Sequence, residues 1–194
     1  ASDGRRHRLS ALALTLPQGR AELSGELDGV SPFALTASGR FAGRQDGRAY
    51  ALSLQADETL LQPRIVLQAE GEGVHGQAQL LAAPFEPLPL RALKLALAEV
   101  NPADFAAGAP RAALVLEADL AARGAGEALL AGPVRITNRS PAASDQGGIP
   151  VRALAGNLAW RAGAVVIEAL DIRLPGATAD AAEGRITGRL TWAL

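Results

Sequence analysis

At 194 residues, 48% of them apolar, the chain is long enough to build one sizeable core, and with no cysteine it can hold neither disulfides nor thiolate metal sites. Its 19 basic and 20 acidic residues nearly cancel, so no global field draws in nucleic acid or an anionic membrane. Every basic residue except Lys94 and the two histidines is Arg, a skew that points to codon usage more than to function.

The opening ASDGRRHRLS, residues 1–10, lacks the apolar stretch of a signal peptide and is expected to be a disordered leader. Residues 11–194 then read as one β-rich section, and the lack of Met suggests a piece of a longer protein. Period-two alternation begins clearly at FALTASGRF, where Phe33, Leu35, Ala37, Gly39 and Phe41 share one face against Thr36, Ser38 and Arg40. RAYALSLQA repeats it with Tyr50, Leu52, Leu54 and Ala56 inward, and RIVLQAE with Ile65, Leu67 and Ala69.

Gly71, Gly73 and Gly76 in QAEGEGVHGQAQ have the spacing of a dinucleotide loop. Such a loop needs a helix opening inside it and an acidic residue about twenty positions on. The chain instead continues with Val74, Gly76, Ala78 and Leu80 alternating against His75, Gln77 and Gln79, which is a strand, so Gly71 to Gly73 turn a hairpin.

RALKLALAE places Leu93, Leu95 and Leu97 together, with Lys94, Ala96 and Ala98 opposite. NPADFAAG follows as a helical turn: Asn101 caps it, Pro102 fits its first position and Gly108 ends it. RAALVLEADLAA fits a helical wheel, but alternating Leu114 and Leu116 around β-branched Val115, with Leu120 beyond, favour a strand. Later runs align Val134 with Ile136, Leu158 with Trp160, and Leu170 with Ile172 and Leu174. The last sets Ile186, Leu190 and Trp192 against Thr187, Arg189 and Thr191, and is one candidate edge strand.

The turns LPQGR, LDGVSP, GRQDGR and RLPGA separate these runs, and the whole predicts an all-β antiparallel meander of about ten or more strands with one consistently apolar face. A second sheet, a closed barrel or an open trough can cover such a face. No site for chemistry emerges. His7 sits in the leader and His75 on a polar face, while Glu117 and Asp119 offer two carboxylates where calcium takes six or more oxygens. There is no G-x-S-x-G elbow, and Pro141 follows the sequon-like NRS at Asn138. No cofactor, no metal and no enzymatic activity are expected.

The stretch PFEPLPLRALKLALAEVNPADFAAGAPRAALVLEADL resembles the TamB family, within the AsmA-like group, through Leu93, Leu95 and Leu97, the turn from Asn101 to Phe105, and Pro110 before a new strand. GPVRITNRSPAASDQGGIPVRALAGNLAWRAG is similar to a later block in which a strand ends at Asn138 and IPV restarts the sheet, and LDIRLPGATADAAEGRITGRL to the strand and glycine element that follows. The resemblance implies a β-taco, a sheet folded lengthwise into an open trough with an apolar interior. It implies a section of an inner-membrane-anchored periplasmic protein of Gram-negative bacteria that conducts phospholipid to the outer membrane and assists outer-membrane protein assembly. Its partners would be the remainder of its own chain and an Omp85-type outer-membrane protein, TamA, through a region not identifiable in these residues.

Under that reading Phe33, Leu35, Leu52, Leu54, Ile65, Leu67, Leu93, Leu95, Leu97, Leu114, Leu116, Val134, Ile136, Leu158, Trp160, Leu170, Ile172, Ile186, Leu190 and Trp192 line the groove and contact acyl chains. The alternative is a closed β-sandwich or β-helix, a scaffold or adhesin module whose apolar face is filled by its own side chains.

Overall fold

The computed structural model describes residues 2, 4–17, 19–45, 47–71, 74–123, 128–161, 163–176 and 182–193. Its architecture is the all-β antiparallel meander: twelve strands ordered by sequence, each beside its chain neighbours. They are β1 (Arg6–Leu16), β2 (Gly19–Asp28), β3 (Leu35–Gln45), β4 (Arg48–Glu58), β5 (Pro63–Gly71), β6 (Val74–Ala82), β7 (Leu90–Val100), β8 (Leu114–Ala122), β9 (Ala128–Asn138), β10 (Ala153–Arg161), β11 (Ala164–Leu174) and β12 (Gly184–Ala193). The helical content among the described residues is two short 3-10 turns, Pro102–Asp104 and Ser144–Gln146. No helix among them is long and apolar enough to cross a membrane.

Two compact units divide the chain, Ala1–Leu93 and Lys94–Leu194, where the sequence points to a single section. In the first, β1 starts at Arg6, inside the stretch expected to be a leader, because its outward arginines find carboxylates on β2: Arg6 Nε lies 3.2 Å from Asp28 and Arg8 2.7 Å from Glu26. Tight hairpins follow. Gln45 pairs with Arg48 across β3 and β4, and Gly71 with Val74 across β5 and β6, leaving two residues for each turn. The glycine-rich G-x-G-x-x-G stretch is therefore a hairpin; Gly73 itself lies outside the described residues.

The second unit has longer connections, and two asparagines fasten them. Asn101 caps the Pro102–Asp104 turn as expected, its side-chain oxygen accepting from the Ala103 N–H at 3.4 Å and from the Ala112 N–H at 3.2 Å. Gly108, at φ 79°, supplies the left-handed residue just beyond. Asn138, 4% exposed at the end of β9, accepts from the Ala113 and Ser140 N–H groups and donates to the Ile149 carbonyl. Backbone bonds from Arg111 N–H to Gly147 and from Arg139 N–H to Ala113, both 2.8 Å, join the 101–113 and 139–152 connections to each other. The same burial withdraws Asn138 from the surface that a glycosylation sequon requires.

Candidate functional site

Because successive side chains in a strand point to opposite faces, the register converts the alternation into rows across neighbouring strands. In the first unit one row runs Leu12, Leu23, Gly39, Leu54, Leu67, Ala78 from β1 to β6, each residue opposite the next. The row beside it runs Leu14, Ala21, Phe41, Leu52, Ala69, Gly76, and a third runs Leu9, Gly25, Ala37, Ala56, Ile65, Leu80. The other face carries rows such as Glu22, Arg40, Ser53, Gln68, Gln77, with Ser24 and Ser38 hydrogen-bonded at 2.9 Å. Apolar and polar residues are thus sorted by face.

This apolar face is not closed over. Leu9, Leu12, Leu14, Leu16, Leu23, Leu52 and Leu67 all lie on it and remain 37% to 46% exposed. Small residues between the leucines are partly filled by their neighbours: a Cβ on Gly39 would meet Leu23 Cδ2 at 2.8 Å. A cleft of about 610 Å3 runs over β1 to β4, lined on its apolar side by Leu9, Leu23, Leu27, Leu35, Ala37 and Leu54, with Ser2 and His7 at one end. Its size is in the range of small-molecule sites.

The second unit repeats the sorting. Leu116, Ile136, Leu154, Ile172 and Ile186 form one row, and Leu130, Trp160, Val165 and Trp192 another. Leu158, Ile167 and Leu190 lie between them. Leu120, Leu130 and Leu170 on this face are buried, whereas Trp160, Ile186, Leu190 and Trp192 are exposed. On the opposite face Val166 is buried, and Glu168 Oε1 on that face lies 3.5 Å from Arg161 and 3.9 Å from Arg189.

The residues singled out from the sequence sort as follows. Leu35, Leu52, Leu54, Ile65 and Leu67 share the apolar face of the first unit. Leu114, Leu116, Val134, Ile136, Leu158, Trp160, Leu170, Ile172, Ile186, Leu190 and Trp192 share that of the second. In β7, Leu93, Leu95 and Leu97 are half-buried while Lys94 and Ala96 are exposed. Phe33 departs from the pattern: it precedes β3 at φ 60°, so strand alternation does not extend to it.

Sequence reasoning missed Leu9, Leu12, Leu14, Leu16, Leu23, Val165 and Ile167. Two bulges hid several of them, one between Leu9 and Leu12 in β1 and one between Ile167 and Leu170 in β11, where Ala169 sits at φ 50°. An extra residue in one strand resets the parity. The readable signal was the apolar spacing of three, which a strict period of two rejects.

Glu117 and Asp119 do share a side, but Arg135 stands opposite Glu117 in the register and Lys94 Nζ lies 3.5 Å from Asp119. Among the described residues no group of three or more His, Asp or Glu has metal-holding geometry. His75 is exposed on the polar face of β6, and His7 lies opposite Leu27 on the apolar side, with Nδ1 2.9 Å from Ser2 Oγ. Set against protein-family models, curated proteins and solved structures, the chain matches none.

Proposed function

We propose that this chain is an internal section of a TamB-like periplasmic protein, whose apolar face forms the floor of an open trough that conducts phospholipid between inner and outer membranes. In that role it belongs to an inner-membrane-anchored protein that assists outer-membrane protein assembly with a TamA-type partner, and it performs no catalysis. The observation that supports the reading is the leucines of the first unit, and Trp160, Ile186, Leu190 and Trp192 of the second, left open to solvent on the sorted apolar face of each unit. Leaving a Leu or Ile exposed forgoes up to about 1.5–3 kcal/mol per residue, and contiguous apolar patches on soluble chains mark binding surfaces. An acyl chain recovers that energy without any residue that grips it, and a lipid tail can slide along such a face.

The scaffold alternative is disfavoured by two features. Antiparallel pairing of successive strands is not the ladder of a parallel β-helix. The exposed leucines are not those of a face filled by its own side chains.

Gentle purification from a membrane-containing lysate, followed by extraction and mass spectrometry, is expected to yield phospholipid at a sizeable fraction of the protein's molarity. A photo-reactive residue at Leu95 should cross-link to that lipid and the same residue at Ala96 should not. Lipid-free protein, or equal labelling at both positions, would overturn the reading.

A further inference from the structure

We propose, resting on the trough reading above, that the loop end of the first unit is the lip over which phospholipids with zwitterionic headgroups pass their acyl chains into and out of the apolar cleft. Three connections leave the sheet at this end: residues 29–34 between β2 and β3, 59–62 between β4 and β5, and 83–89 between β6 and β7. Each carries a large apolar residue held out to solvent, with Val30 56%, Leu61 47% and Phe85 69% exposed. The other described exposed large hydrophobics of the first unit lie on its apolar face. The turns at the opposite end are Pro17-Gln18, Asp46-Gly47 and Glu72-Gly73 in the sequence, with no large apolar residue among them but proline. One exposed apolar residue is ordinary on a surface, but three on successive loops, about 10 Å apart at two strand spacings each, form an apolar line along one margin of the sheet.

That line adjoins the cleft. Leu27 and Leu35, paired across β2 and β3 just before the loop that carries Val30, both line its volume of about 610 Å3. The Leu60 N–H donates to the Phe33 carbonyl at 2.9 Å and ties the first loop to the second. Within the loops the Phe33 N–H donates to the Val30 carbonyl at 2.8 Å, the Gln62 N–H to Thr59 Oγ1 at 3.1 Å, the Glu86 N–H to the Ala83 carbonyl at 2.9 Å and the Ala83 N–H to the Pro89 carbonyl at 2.8 Å. Backbone groups paired in this way need not be stripped of water when a hydrocarbon chain crosses them.

Each loop also stands on one arginine–carboxylate pair: Arg6 with Asp28 at 3.2 Å, Arg64 with Glu58 at 2.9 Å, and Arg91 with Glu86. All six side chains are 38% to 59% exposed, so both charges of each pair are open to a ligand. A zwitterionic headgroup offers the matching set, its phosphate for a guanidinium and its ammonium for a carboxylate. Within these pairs the charges cancel, and a headgroup of net negative charge meets no surplus cation.

The probe is phosphatidylethanolamine with a fluorescent acyl chain, loaded on the 194-residue chain and exchanged into vesicles of phosphatidylethanolamine and phosphatidylglycerol. Both the lipid bound at equilibrium and the exchange rate are read. Combining Val30→Ser, Leu61→Ser and Phe85→Ser should slow exchange about 10- to 100-fold and leave the bound amount unchanged, because a lip alters the path and not the resting place. Phe85→Ser alone, at the most exposed of the three, should slow it about 2- to 5-fold and serves if the triple variant fails to fold by circular dichroism. Pro17→Ser, at the hairpin end, should exchange at the unaltered rate. Labelled phosphatidylethanolamine should exchange faster than labelled phosphatidylglycerol, and Asp28→Asn with Glu58→Gln and Glu86→Gln should reverse that order. Normal loading with unaltered rates in the serine variants, or equal slowing by Pro17→Ser, would overturn the lip and leave the trough standing. Equal rates for the two headgroups would overturn the zwitterionic selection. An unaltered chain that binds no lipid would overturn lip and trough together.

Discussion

The two units are built from the same alternating strands but cover their apolar faces unequally. In the first, the buried apolar residues among those described are Pro63 and Ala83; in the second, Leu120, Leu130 and Leu170 on the apolar face are buried, with Ala112, Ala159 and Val166 buried elsewhere. Rows of the first unit interleave leucines with Gly25, Gly39, Ala37, Ala56, Ala69, Gly76 and Ala78, so many of them have a small residue on at least one side. Rows of the second place Ile136, Leu154 and Ile172 side by side, and Leu158 next to Ile167, all half-buried, while the buried Leu170 stands opposite Gly188. Sorting residues by face is therefore not the same as burying them: the period sets the face, and the size of the neighbour across the ladder does not by itself set the cover, since Leu170 is buried opposite Gly188 while Leu12 is exposed opposite Leu23.

That contrast is most sharply broken or confirmed by truncating one leucine in each unit. Leu130→Ala removes a side chain that is 2% exposed and should cost about 2–4 kcal/mol, whereas Leu12→Ala, 38% exposed, should cost under about 1 kcal/mol. Hydrogen exchange resolved by strand reads the two losses separately. Similar losses at both positions would mean that the first unit's face is covered in solution after all.

A smaller effect of about 1–3 kcal/mol is expected from Asn138→Ala, which strips the Ala113 and Ser140 N–H groups and the Ile149 carbonyl of their shared partner. Faster exchange should appear in the 101–113 and 139–152 connections and leave β1 to β6 unchanged. Asn138→Asp, which keeps the acceptor but loses the donor to Ile149, should fall between the two. The first unit, with its two-residue turns, has no equivalent asparagine to remove.

Most strands were legible because half-exposed sheets display a period of two, and Asn101-Pro102 announced its capped turn by composition alone. The apolar side of β1 was not legible, because Arg6, His7 and Arg8 gave its start the look of a solvated leader. The carboxylates of Asp28 and Glu26 across the ladder account for Arg6 and Arg8, and no local pattern announces them. Nor was the inward turn of Ile167, since the bulge at Ala169 resets the parity of β11 in a way that strict alternation cannot express. The structural role of Asn138 was also hidden: its partners lie 2 to 25 residues away, and no local pattern joins them.

The smallest expected effect separates the units on their polar faces. Arg8 and Glu26 in the first unit meet at 2.7 Å with side chains 54% and 42% exposed. In the second, Arg185 grips Asp171 through two bonds of 3.0 Å, and the Asp171 side chain is only 21% exposed. Water and salt screen the first pair freely, while the planar fork of Arg185 on a half-sheltered carboxylate loses less to both. A double-mutant cycle should therefore give about 0.3 kcal/mol for Arg8 with Glu26 and about 1 kcal/mol for Arg185 with Asp171. Raising the ionic strength toward 1 M, where the screening length shrinks to about 3 Å, should erase the first coupling and leave a measurable part of the second. Equal couplings that fall together with salt would show that the second unit's extra cover stops at its apolar face and does not reach its ion pairs.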